Sequence, residues 1–251
     1  MILTIAWREL RTLFLSPLAW AILAVVQAIL AFLFLARVEL YQIYQPQLAG
    51  LDNAPGITEV IVPDLLGNAA IVLLLVVPLL TMRLVSEERR NKTLALLFSA
   101  PVSMTEIILG KFLGVFSFLL VLLALIALMP LSLLAGGALD FGILASALLG
   151  LALVLAGFAA VGLFMSTLTQ YPTVAAISTF GALLLFWILD WSGQGAGGMG
   201  GSVLAYLSLF NHYKPFLEGV FDSADAVYHV ALISTFLILS VRRLDADRLG
   251  A

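Results

Sequence analysis

The chain has 251 residues, of which 63% are hydrophobic and 11% charged, with a net charge of −3 and a mean hydropathy of +1.13. Soluble domains carry roughly 25% charged residues, so water is excluded as the main solvent and the chain reads as an all-α integral membrane protein. The absence of cysteine excludes disulfides, thiolate metal sites and a cysteine nucleophile.

In chain order, residues 1–16 come first as an elbow helix. At about 100° per residue, Thr4, Arg8, Glu9, Arg11 and Thr12 fall in one arc, while Ile2, Leu3, Ala6, Trp7, Leu10, Leu13 and Phe14 fill the opposite one. Such a helix is expected to lie in the membrane surface, as a plain juxtamembrane anchor or as an elbow beside a docking surface. Ser16-Pro17 ends it, because proline disfavours helical geometry in the residue before it and suits the first turn of the next helix.

A hydrocarbon core about 30 Å thick takes about 20 apolar helical residues per crossing. Six stretches qualify: Pro17 to Ala36, Leu66 to Met82, Phe112 to Leu134, Ile143 to Met165, Val174 to Leu189 and Ala226 to Val241. They leave no segment large enough for a separate soluble domain, so residues 1–251 form one membrane domain. The first stretch is too long for the apolar part of a signal peptide, and no Ala-x-Ala site follows at Leu33-Phe34-Leu35-Ala36-Arg37. It is expected to remain as a span.

The second and third spans are separated by a charged insert, residues 83–111. It holds Arg83, Glu87, Glu88, Arg89, Arg90, Lys92, Glu106 and Lys111. Good helix formers run from Arg83 through Phe98, and Pro101 stops them. Ser103-Met104-Thr105-Glu106 matches a capping box for the next helix, on which Gly110 and Gly114 form a small-xxx-small pair that permits close helix contact. Leu94, Leu96, Leu97 and Phe98 suit a groove on a partner protein or the membrane surface.

Beyond the fifth span lies an outer loop, residues 190–225. Gly193 to Gly201 reads as a flexible linker. Tyr206, Phe210, Tyr213 and Phe216 follow in helical spacing, as an interfacial aromatic belt or as a contact for an extracytoplasmic accessory protein or for emerging substrate. His212 and His229 lack the ligand spacing of a metal site. The other outer loops are expected at Arg37 to Leu65 and Ala135 to Gly142.

Orientation follows from the basic residues. With a cytoplasmic amino terminus, Arg8, Arg11, Arg83, Arg89, Arg90, Lys92, Lys111, Arg242, Arg243 and Arg248 all lie inside, against only Arg37 and Lys214 outside. This positive-inside bias places both termini in the cytoplasm.

The interiors of the spans carry no ionisable group. A charge in hydrocarbon costs at least about 2.5 kcal/mol and usually marks an ion or proton path, so ion-coupled transport is disfavoured. Gln27, Asn68, Ser117, Ser132, Ser178 and Ser234 read as helix-packing glue. Gly110-Lys111 lacks the earlier glycine and the following Ser/Thr of a phosphate loop. The chain therefore cannot hydrolyse ATP in the usual way, and energy for any transport would come from a partner.

The insert resembles a known pattern. Glu87-Glu88-Arg89-Arg90-Asn91-Lys92-Thr93-Leu94, then Leu97, Ser99-Ala100-Pro101-Val102-Ser103, Glu106-Ile107 and Leu109-Gly110-Lys111 look like the coupling-helix region of type-2 ABC exporter permeases. Arg8-Glu9-Leu10, Phe14, Ser16-Pro17, Ala19-Trp20 and Pro78-Leu79-Leu80-Thr81-Met82-Arg83 are similar to its gliding-motility subgroup. Lys92 stands where that family often has glycine, and lysine is expected to keep the insert helix intact.

The resemblance implies six transmembrane helices with an amino-terminal elbow and a cytoplasmic coupling helix between spans 2 and 3. It implies a permease subunit without an active site or bound cofactor, ATP and Mg being held by a separate cytoplasmic ATPase. Glu87, Glu88, Arg89, Arg90, Lys92, Thr93, Leu94, Leu97, Phe98 and Pro101 would couple to that ATPase, beside an elbow carrying Trp7, Arg8, Glu9, Arg11 and Phe14. A second permease copy would complete the transporter in a bacterial inner membrane, with no role for nucleic acid. Gly67 to Met82 and Val174 to Leu189 would line the path for an amphipathic, lipid-linked or polymeric cargo.

Three other classes are open to the residues themselves. A membrane scaffold or assembly factor needs only the spans. A secondary transporter is disfavoured by their empty interiors, although backbone carbonyls can bind sodium without acids. An intramembrane protease of the Glu-Glu-x-x-x-Arg type is disfavoured because position 92 is lysine and both histidines lie at the outer side.

Overall fold

The computed structural model describes residues 1–48, 56–93, 102–135, 139–195 and 206–249. Among them all regular structure is helical, and six helices are long and apolar enough to cross a membrane. The elements are α1 (Ile2–Leu15), α2 (Pro17–Leu48), α3 (Ile57–Thr81), α4 (Ser86–Arg90), α5 (Met104–Leu131), α6 (Phe141–Leu168), α7 (Pro172–Gly195), α8 (Leu209–Leu217) and α9 (Ser223–Leu249). The spans are α2, α3, α5, α6, α7 and α9.

Span 4, α6, is the centre of the bundle, packed by α3, α5, α7, α8 and α9. Lipid tails are as apolar as leucine, so nothing squeezes apolar helices together, and close packing at small residues must do it. Residues 156–163 of α6 include Ala156, Gly157, Ala159, Ala160 and Gly162, and among them the described neighbours approach closely. Asp140 starts this helix by accepting the amides of Gly142 and Ile143. Ser103 and Glu106 form the expected capping box at the start of α5.

The carboxyl-terminal end of span 1 departs from expectation. The helix was expected to stop at Ala36 but continues to Leu48, and α3 begins at Ile57 rather than Leu66. No glycine or proline interrupts residues 37–45, and Arg37 is neutralised by Asp64 of α3 through paired hydrogen bonds. Much of the expected loop from Arg37 to Leu65 is therefore helix.

The segment expected to be the last outer loop also departs. Tyr213 and Phe216 were read as an interfacial belt, yet both are fully buried, because α8 folds back into the bundle against α6. Gly150 admits it, since a Cβ there would lie 2.5 Å from that of Phe216. The Tyr213 hydroxyl donates to the Leu66 carbonyl at 3.0 Å, and burial pushes its phenol well above its ordinary pKa, so it stays a donor. His212 pairs with Asp225 at 2.6 Å and donates from Nε2 to the Tyr206 carbonyl at 2.8 Å, stacked on Tyr228. The expected glycine linker falls mostly on residues 196–205, outside the described residues.

The amino-terminal helix forms as expected and packs on α5. Ile5 meets Gly110, Glu9 meets Gly114, and the Phe14 ring lies 5.3 Å from that of Phe118. These contacts climb both helices in step, so α1 runs lengthwise along α5. Leu3 and Trp7 remain exposed. The Trp20 indole donates to the Phe14 carbonyl at 2.8 Å and fixes the bend into α2.

The glycines set this docking. A Cβ on Gly114 would stand 2.6 Å from the Cβ of Glu9 and 2.9 Å from the Ala6 carbonyl oxygen. Gly114→Val is expected to destabilise the protein by about 1–3 kcal/mol through overpacking, read as a lower melting temperature in detergent. Gly181→Ala, with nothing within 4 Å of an added Cβ, is expected not to lower it.

Candidate functional site

The site is the end of the bundle where α1, the insert, the start of α5 and the last turns of α6 and α9 meet. After Thr81 the regular helix gives way to a turn, residues 82–85, and restarts at Ser86. The first amides of a helix have no partner within it. Here Ser166 of α6 supplies one, its hydroxyl accepting from the Val85 amide at 3.0 Å and the Ser86 amide at 3.1 Å. It also donates to the Met82 carbonyl at 3.2 Å, so one serine on span 4 holds the start of α4.

The helix was expected to run from Arg83 through Phe98, but α4 ends at Arg90. Lys92 has φ 58, the left-handed geometry that costs an L-residue roughly 1–2 kcal/mol. The Thr93 amide donates to the Glu88 carbonyl and the Lys92 amide to the Arg89 carbonyl, which is the Schellman arrangement with Lys92 in the place usually taken by glycine. Lysine therefore does not keep the helix intact. Leu94, Leu97, Phe98 and Pro101 lie outside the described residues.

Successive residues of so short a helix point different ways. Glu87 and Arg90 face outward and are exposed, as are Asn91, Lys92 and Thr93. Glu88 and Arg89 turn inward in opposite directions. Glu88 bonds Lys111 of α5 at 2.7 Å, and Lys111 also bonds Glu9 of α1 at 2.8 Å. Arg89 donates to the Thr167 carbonyl of α6 at 2.8 Å and pairs with Asp247 of α9, which Arg243 approaches at 3.5 Å.

Lys111 is 3% exposed. An ammonium at that depth is tolerable only with close counter-charges, and it has two. Their geometry depends on the glycines beside it. Gly110 and Gly114 let the α1 backbone close on α5, and that approach carries Glu9 to the lysine. Glu9 was assigned to the polar arc of α1, but it faces α5, while Arg8 and Arg11 are exposed. Trp7 is exposed, and Phe14 packs between Phe118 and Trp20.

The structure thus joins Glu9 to Glu88 through Lys111, ties Arg89 to α6 and α9, and leaves Glu87 and Arg90 facing outward. Sequence reasoning missed Lys111 as a node, and with it Ser166, Thr167 and Asp247. A lysine set between two glycines at the start of an apolar helix was the one available signal; the others carried none.

Residues 3–245 match the model of a protein family described as ABC-2 family transporter protein. The chain belongs to the ABC-2 transporter family. No curated protein matches it significantly. As an ABC-2 family member with six apolar helices it is a multi-pass membrane component of a transport system.

Two substitutions probe this end of the ABC-2 subunit. Lys111→Met strands two carboxylates and is expected to cost about 3–5 kcal/mol, with most of the lost melting temperature recovered in the triple variant Lys111→Met, Glu9→Gln, Glu88→Leu. Lys92→Gly is expected to raise stability by up to about 1 kcal/mol, because glycine adopts φ > 0 without a Cβ clash. Both are read by thermal unfolding in detergent.

Proposed function

We propose that the chain is the permease half of an ATP-driven exporter, worked by a separate cytoplasmic ATPase through the insert. The observation that carries this reading is the split within α4. Glu87 and Arg90 face outward, where a partner can reach them, while Glu88, Arg89 and the Ser166 cap tie the same short helix to α1, α5, α6 and α9. A push received on the outer face would reach three spans and the elbow together. Ion-pair anchoring suits such a lever, because side chains that hold a helix on both sides leave it little freedom to yield.

The other parts of the reading follow family resemblance. Two permease copies assemble with two ATPases, both termini in the cytoplasm of a bacterial cell, and the halves rock to alternate access. The outward faces of α7, with Val174, Ile177 and Leu185 exposed, are consistent with a second copy at the dimer axis. Spans 2 and 5 would line a path for an amphipathic, lipid-linked or polymeric cargo. The gliding-motility subgroup is the best present placement, and an accessory protein on the outer side would meet the exposed Tyr206.

The double variant Glu87→Lys, Arg90→Glu is expected to reduce recovery of the co-expressed ATPase with the permease about 10-fold, equivalent to about 1.4 kcal/mol, at an unchanged melting temperature of the permease alone. Unchanged recovery of the complex would overturn the docking role.

A further inference from the structure

We propose that the cavity between the elbow and the insert is a binding site for a phospholipid whose headgroup carries a phosphate and a primary amine, of the phosphoethanolamine type. The cavity has a volume of 360 Å³ and is amphiphilic. Leu18 and Leu79, on the first turn of span 1 and the last turn of span 2, give it an apolar edge level with the spans. Its other side is charged and faces away from them. An amphiphile in the leaflet on the insert's side would enter with its tails against the spans and its head on the charges.

The charged side carries bonding capacity that the protein leaves unused. Arg8 and Arg83 line the cavity, are exposed, and make no ion pair among the described residues. Lys111 spends two of its three N–H groups on Glu9 and Glu88, and no further partner is found for it among the described residues. Glu88 bonds Lys111 through Oε1, while its Oε2 is buried with no partner. A buried carboxylate oxygen without a donor is costly.

One headgroup satisfies all of these. Its phosphate takes the guanidinium groups of Arg8 and Arg83, which suit phosphate geometry, together with the third Lys111 donor. Its ammonium donates to Glu88 Oε2. A quaternary choline ammonium has no N–H and leaves that oxygen unpaired, and a glycerol headgroup offers no positive charge to it. The site therefore discriminates amine from choline and from purely anionic headgroups.

The test is native mass spectrometry of the full-length, delipidated permease. It is offered phosphatidylethanolamine, phosphatidylcholine and phosphatidylglycerol with identical acyl chains, and in a separate arm free phosphoethanolamine. The expected result is one phosphatidylethanolamine retained at least fivefold over either competitor. That preference is lost in the Arg8→Ala, Arg83→Ala variant, whose melting temperature without lipid is unchanged. Equal retention of phosphatidylcholine overturns the amine contact, and preferential retention of phosphatidylglycerol overturns the zwitterionic headgroup. Saturation by free phosphoethanolamine overturns the lipid as its source. Retained preference in the double-arginine variant removes the cavity from the interaction.

Discussion

A single buried ammonium organises the end of the bundle that carries the insert. Lys111 cannot stand 3% exposed without counter-charges, and the two it finds come from different parts of the chain, Glu9 from the elbow and Glu88 from the insert. Meeting its demand fixes α1 lengthwise on span 3 and fixes the insert beneath it. The pair of glycines on α5 makes this approachable, because any side chain at Gly114 would hold the α1 backbone away. Backbone proximity and charge pairing are thus one constraint with two aspects.

The opposite side of the insert is held by complementary means. Ser166 caps its start, and Arg89 bridges the end of span 4 to the tail of span 6. Span 4 is also the helix on which most of the bundle packs, so what holds α4 to Ser166 holds it to the core. Within the spans the packing is largely apolar and small-residue driven. A charge in hydrocarbon is costly, and the charges that sit inside long helices are paired, Arg37 with Asp64 and Lys111 with Glu9 and Glu88.

Much of the fold could be read from composition and helical spacing. The six spans were legible because a 20-residue apolar run has few alternatives in a chain of this hydropathy, and the capping box at Ser103 and Glu106 is a local pattern. Span ends were less legible. Helix α2 runs past Ala36 because Asp64, 27 residues away, neutralises Arg37, and no local signal announces a partner. The burial of Tyr213 and Phe216 was hidden for a related reason, since helical spacing of aromatics does not say whether they face headgroups or a groove opened by Gly150.

In the site, Glu87 and Arg90 were singled out by the charged run, but the chain turn was not expected, because the lysine at 92 was read by propensity alone. Helix propensity weighs tenths of a kcal/mol per residue, whereas the turn answers the Glu88 and Arg89 carbonyls with the Thr93 and Lys92 amides and so lets the helix end there. The node at Lys111 joins residues 102 and 23 positions away, a relation invisible to any sequence window.

The central claim is that the insert moves with the bundle rather than against it. Because the chain has no cysteine, Ser86→Cys and Ser166→Cys introduce a single disulfide pair where the two hydroxyls share the Met82 carbonyl. ATP hydrolysis by the assembled transporter, measured with the crosslink formed and then reduced, tests the claim directly. The account predicts complete crosslinking and the same permease-dependent turnover in both states; turnover that collapses on oxidation and returns on reduction would show that α4 must slide against span 4, and would contradict it.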